Sequence, residues 1–137
     1  MKKILILANS AGGLYNFRCE LITELINQGY DVYFAVPEST GNKKVKLLID
    51  IGAEYIQTHM DRRGTNPFED LKLIKKYKEI VENLHPDVIL TYTIKPNIYG
   101  NYVASTFTIP VILNITALGP SLANAQLKNI LTRMYNY

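Results

Sequence analysis

Short apolar runs alternate with amphipathic stretches along all 137 residues. Ile4 to Ala8 is an unbroken apolar run of strand length, the pattern of a strand covered on both faces. Asn9 to Tyr15 reads as a loop carrying Gly12 and Gly13, with Asn16 as the candidate N-cap of the helix that follows. From Phe17 to Gln28, Leu21, Ile22, Leu25 and Ile26 share one helical face, and Gly29 is placed to stop the helix. Val32 to Val36 is a second strand, closed by Pro37. After a polar loop from Glu38 to Asn42, Val45, Leu47, Leu48 and Ile51 mark a short amphipathic helix that ends at Gly52. Glu54 to Thr58 is a short third strand, followed by the polar segment His59 to Asn66.

The next helix has a well-defined start. Asn66 is the N-cap, Pro67 the first helical residue and Glu69 the capping-box partner. Leu71, Ile74, Tyr77, Val81 and Leu84 repeat at helical spacing until Pro86-Asp87 breaks the pattern. Val88 to Leu90 is a fourth strand. Ile94 to Asn97 is a loop into a helix that runs to about Phe107, and Val111 to Ile115 is a fifth strand. Leu127, Ile130, Leu131 and Met134 give the tail a helical pattern. Strands separated by helices imply right-handed parallel βαβ units. The expected fold is α/β: a Rossmann-like parallel sheet of about five or more strands with helices on both faces, in one domain spanning residues 1–137.

In such a sheet, ligands bind beyond the carboxyl ends of the strands. Four polar loops leave those ends. In Asn9-Ser10-Ala11-Gly12-Gly13, the glycines permit close backbone approach and the following helix offers N–H groups to an anion. A tight turn with positive φ would call for the same glycines. Arg62 and Arg63, beside Gly64 and Asn66, suit a phosphate or carboxylate; a solvated basic loop with Asp61 pairing one arginine is the other reading. In the third loop, Thr93, Lys95, Asn97 and Gly100 stand out. Lys95 sits near the positive end of a helix, a poor place for a cation unless an anion is bound there. Gly100, within the helix, costs about 1 kcal/mol relative to Ala, and so points to close packing or close ligand approach. Thr116 and Gly119 belong to a small-residue turn after the last strand.

Composition narrows the function classes. Fifteen Lys and Arg against twelve Asp and Glu give a net charge of +3, compatible with phosphates or anionic lipid and too mild to indicate nucleic-acid binding. One cysteine, Cys19, cannot form an internal disulfide framework, and its helical position reads as a structural thiol. His59 and His85 are too far apart for a helical metal pair, and no two carboxylates flank an obvious site. The apolar run after Lys2-Lys3 is too short for a signal peptide, and no stretch approaches a membrane span. The expected location is the cytoplasm, peripheral to the inner face of the plasma membrane.

Thr91-Tyr92-Thr93-Ile94-Lys95-Pro96-Asn97-Ile98-Tyr99-Gly100, then Ile109-Pro110-Val111 and Asn114-Ile115-Thr116-Ala117-Leu118-Gly119, resemble bacterial glycosyltransferase family 4 enzymes. The closest group extends polyprenyl-diphosphate-linked sugars for capsule, O-antigen or protein glycosylation. Arg62 to Leu71 and the opening strand with Gly12-Gly13 match the same group; Ala117 stands where the family usually has glycine. The resemblance implies one half of a GT-B fold, in which an N-terminal domain binds the lipid-linked acceptor and a C-terminal domain binds most of the UDP-sugar. The implied chemistry is metal-free, retaining sugar transfer, with no cofactor. It implies that Gly12 and Gly13 approach the donor diphosphate or the acceptor. Arg62, Arg63 and Lys95 would bind phosphate or sugar oxygens, and Thr93, Asn97 and Thr116 would orient the acceptor. The donor-binding domain is not within these residues, so the chain by itself is not expected to catalyse transfer. Three alternatives stay open: a non-catalytic subunit of a split glycosyltransferase, paired with a donor-domain partner chain; a flavodoxin-like nucleotide-binding module; and an NAD-dependent oxidoreductase. Glu38 follows the second strand where a ribose-binding acid would sit, but the glycine fingerprint is missing.

Overall fold

The computed structural model describes residues 2–58 and 67–114. Within them the order is β1 (Lys3–Leu7), α1 (Ala11–Asn27), β2 (Asp31–Val36), α2 (Lys43–Ile51), β3 (Glu54–Gln57), α3 (Pro67–Leu84), β4 (Val88–Tyr92), α4 (Ile94–Thr106) and β5 (Val111–Asn114). The strands form one parallel sheet in the order β3-β2-β1-β4-β5. The chain builds outward from β1 to β3, then crosses back through α3 to place β4 on the other side of β1. That reversal makes a switch point between β1 and β4, where a crevice opens beyond the strand ends.

The alternation of side chains along β1 separates two apolar layers. Ile4 and Ile6 join Val32, Phe34, Val88 and Leu90 beneath α1 and α2. Leu5 and Leu7 join Ala35, Ile89, Leu73, Tyr77 and Val103 beneath α3 and α4. Register follows: Ile4 lies beside Val32 on one side and Val88 on the other. The expected α/β class and doubly covered sheet are therefore observed.

Several boundaries differ from the sequence reading, each for a local reason. Residues 11–15 are helix rather than loop, because Ser10, not Asn16, is the N-cap: its backbone is extended and its hydroxyl accepts from Gly13 N. Gly12 and Gly13 are absent from the positive-φ residues, so no left-handed turn explains them. Gly29 (φ 92°) and Gly52 (φ 119°) do adopt that conformation, ending α1 and α2 as their positions predicted. At the third loop, β4 extends through Tyr92 and α4 begins at Ile94, two residues before Pro96. The Asn66 cap and the tail helix lie outside the described residues.

Gly100 is explained by packing. A Cβ there would lie 2.7 Å from Thr91 Cγ2 and 2.9 Å from Leu7 Cδ1, so the glycine lets α4 settle onto β4 and β1. Gly100→Ala should therefore destabilise the fold by about 1–3 kcal/mol despite its better helix propensity. Gly13→Ala, with only Ser10 side-chain atoms at 3.9 Å, should be near neutral. Urea denaturation of the two variants checks the contrast.

Candidate functional site

At the switch point a pocket of about 240 Å³ is lined by Ala8, Asn9, Ser10, Gly13, Leu14, Phe17, Arg18, Tyr92 and Thr93. The link after β1 supplies Ala8 to Ser10, the first two turns of α1 supply Gly13 to Arg18, and the end of β4 and the residue after it supply Tyr92 and Thr93. A larger, shallower depression of about 630 Å³ runs beside the edge strand β3 between Tyr33, Glu54, Lys76 and Glu79. It reaches the amino end of β3 rather than the carboxyl ends of β1 and β4, and it lacks a buried cation, so the smaller pocket is the better candidate.

The amino end of α1 was one of the expected anion sites, and the protein places its own acceptors there. Glu38 Oε2 accepts from Ala11 N at 2.7 Å, and Ser10 Oγ accepts from Gly13 N at 3.2 Å. A carboxylate at this helix end is favoured by the dipole and by the free N–H groups. Glu38 is positioned by its backbone, whose carbonyl accepts from Tyr55 Oη on β3. The Glu38 carboxylate, which follows β2 where a ribose-binding acid would sit, is turned back onto α1.

Arg18 and Tyr92 form the back of the pocket. Arg18 is buried on the apolar face of α1, four residues after Leu14 and three before Leu21. Its Nη1 donates to the Phe17 carbonyl at 3.1 Å. Its guanidinium stands over the Tyr92 ring, 5.0 Å from the centroid, a cation–π arrangement. Burial pushes the Tyr92 hydroxyl up to about 12, against the opposing effect of Arg18. Thr93 then adopts φ 76°, ψ 174° while remaining exposed. A β-branched residue there stores strain of about 1–3 kcal/mol, and such strain concentrates at binding sites. The Thr93 hydroxyl donates to the Tyr92 carbonyl.

The expected site residues therefore separate into groups. Asn9, Ser10, Gly13 and Thr93 meet at the pocket, and Gly12 lies beside them in the first turn of α1. Lys95, Asn97 and Gly100 do not line it. Asn97 Oδ1 accepts from Thr91 Oγ1 at 2.7 Å, tying α4 to β4. Gly100 is buried in the seam described above. Lys95 does sit at the positive end of a helix, and the anion that offsets it is internal. Its Nζ donates to Asp70 Oδ1 at 2.8 Å, and Tyr99 Oη donates to Asp70 Oδ2 at 2.8 Å. Arg62, Arg63, Asn66, Thr116 and Gly119 lie outside the described residues. Two further residues have no place among the expected ones: Arg18, whose one sequence signal is an arginine within the Leu14-Leu21-Leu25 stripe, and Asp70, whose partners lie on α4. Among the described residues, no group of three or more His, Cys, Asp or Glu could hold a metal.

The fold defines a Rossmann-like α/β domain, and the switch-point pocket is its candidate binding crevice. The MurG structure from Acinetobacter baumannii superposes with a TM-score of 0.65 at 22% identity, covering 95% of this chain and 39% of that one. A UDP-N-acetylglucosamine 2-epimerase superposes with a TM-score of 0.67 at 16% identity, covering 88% and 35%. These likenesses establish the fold, and one fold serves different reactions. Sequence decides the family: the chain belongs to the glycosyl transferase 4-like family, whose model matches residues 3–137. It is also 30% identical over 139 residues to a relative from Buchnera aphidicola subsp. Baizongia pistaciae. That relative is named UDP-N-acetylglucosamine--N-acetylmuramyl-(pentapeptide) pyrophosphoryl-undecaprenol N-acetylglucosamine transferase. The match covers 96% of this chain and 39% of the relative, so the chain spans about two-fifths of that protein's length.

The Asp70 cluster predicts a pH signature. The hydrogen bonds from Lys95 and then Tyr99 hold the Asp70 carboxyl below its ordinary value, with burial opposing. A carboxyl lowered in the folded state contributes stability above its unfolded value of about 4, and loses it as pH falls through the lower folded value. Asp70→Asn should therefore be less stable than the parent at pH 7, by about 1 kcal/mol for a partly exposed pair. The difference should shrink as pH drops below about 4; urea titrations across that range measure it.

Proposed function

We propose that this chain is the acceptor-side domain of a glycosyltransferase that moves an N-acetylhexosamine from a UDP-sugar to a polyprenyl-diphosphate-linked saccharide. The single observation that carries this reading is the switch-point pocket, with Arg18 at its back, in a chain of the glycosyl transferase 4-like family. The Buchnera relative's name supplies the two substrate classes, a UDP-sugar and a pyrophosphoryl-undecaprenol acceptor. In this reading the acceptor sugar enters the crevice beyond β1 and β4. A donor-binding domain then closes over it, bringing the UDP-sugar to the hydroxyl that attacks. Transfer with retention and a role in surface polysaccharide assembly belong to the proposal through the family-4 resemblance. Retention is tested directly: with this chain combined with a donor-binding domain, an α-configured UDP-sugar should give an α-linked product by NMR, and a β-linked product rejects it.

The same reading places the domain at the inner face of the plasma membrane. No helix among the described residues is long and apolar enough to cross a membrane. Instead, the neighbouring helices α3 and α4 expose Phe68 and Leu71, and Ile94, Ile98 and Tyr102. Lys72 and Lys75 are exposed on α3, and Lys78 stands over the Tyr102 ring, 5.3 Å from its centroid. Apolar and aromatic side chains mixed with lysines suit an anionic lipid surface.

Two measurements follow. A polyprenyl-diphosphate-sugar analogue at saturating concentration should raise the Tm of the chain by several degrees, whereas a UDP-sugar should shift it by less than about one degree. A large UDP-sugar shift would move donor binding onto this domain. The chain should also sediment with phosphatidylglycerol vesicles at low salt and release as salt rises. Leu71→Asp with Ile98→Asp should at least halve the bound fraction, and unchanged sedimentation of the variant removes this surface from the reading.

A further inference from the structure

Arg18 is 6% exposed, yet the ion pairs among the described residues are Lys72–Glu69 and Lys95–Asp70. Its Nε has no hydrogen-bond partner, and neither does Tyr92 Oη, a second buried polar atom of the same pocket. Burying a cation costs several kcal/mol unless an opposite charge compensates. One carbonyl and one ring face return only part of that. The guanidinium forms a fork of N–H groups, and one arm of it is engaged by the Phe17 carbonyl. The rest suits a planar, two-oxygen anion.

We propose that this pocket binds a sugar bearing a carboxylate, with the Arg18 guanidinium holding the carboxylate. The inference rests on the acceptor-side reading and specifies the acceptor sugar. Two observations favour a carboxylate over a phosphate group. The N–H groups of Ala11 and Gly13, which a phosphate would take, are already bonded to Glu38 and Ser10. The Glu38 carboxylate on that helix end repels a dianion. Size and lining agree as well. At about 240 Å³ the pocket is below the roughly 300 Å³ at which drug-sized sites begin, which fits a single sugar ring. Leu14, Phe17 and Tyr92 offer apolar surface to the C–H face of that ring.

The test is NMR titration of the chain, following the Arg18 Nε–Hε resonance, with glucuronate, glucose, inorganic phosphate and diphosphate as probes. Glucuronate should move that resonance and bind at least tenfold more tightly than glucose. Phosphate and diphosphate should leave it in place. Arg18→Met should erase the preference for glucuronate, and Arg18→Lys, which keeps the charge without the fork, should retain only part of it. The wild-type comparison and the lysine variant decide the matter if the methionine variant fails to fold. Equal binding of glucuronate and glucose overturns the proposal, as does an Arg18 resonance moved more strongly by diphosphate. If the sugars bind alike while the polyprenyl-diphosphate-sugar analogue still stabilises the chain, the carboxylate assignment falls and the acceptor-side reading stands. If neither the sugars nor the lipid analogue binds, both fall.

Discussion

Ile4, Leu5, Ile6 and Leu7 have no exposed surface, and the rest of the domain is arranged around that burial. A strand apolar on both faces must be covered by helices from both sides, and it must have a parallel neighbour along each edge to satisfy its backbone. β2 and β4 are those neighbours. Because β4 reaches its place only by crossing back over β1, the crevice at the ends of these strands follows from the same requirement. Gly100 shows how tightly the arrangement is held. α4 approaches β1 and β4 so closely that there is no room for a methyl group.

Helix termini are where this molecule reconciles packing with charge. The positive end of α1 is occupied by Glu38 and Ser10, and the lysine at the positive end of α4 is neutralised by Asp70 from α3. Both arrangements join elements far apart in sequence, so they brace the crevice as well as balance it. Arg18 is the exception, a buried cation facing a pocket with no carboxylate beside it among the described residues. Strain at Thr93 adjoins it. Burying an unpaired charge and holding a threonine at positive φ both cost stability, and their meeting at one pocket is the strongest local sign of a binding role.

The strands and helices along the chain and the two glycine stops were legible in the sequence because each rests on local periodicity or on one residue's conformational range, whereas the order of strands in the sheet was not. Helix starts were less so. Asn16 and Ser10 are both competent caps, and only the path of the chain out of β1 selects Ser10. The candidate pocket was legible only in part. Asn9, Ser10, Gly13 and Thr93 could be found because topology puts strand ends at the crevice. Lys95 and Asn97 follow the same rule but bond to Asp70 and Thr91, and no spacing rule announces those partners across 25 and 6 residues.

By itself, then, the amino-acid sequence determined the α/β class, the parallel sheet and its family, since hydrophobic period and turn chemistry are properties of neighbouring residues. Only the tertiary structure decided which polar groups remain for a ligand. Whether a charge is already paired depends on residues brought together by the crossover of the chain. Glu38 and Asp70 withdraw two expected anion sites in this way, and the burial of Arg18 beside Tyr92 creates another.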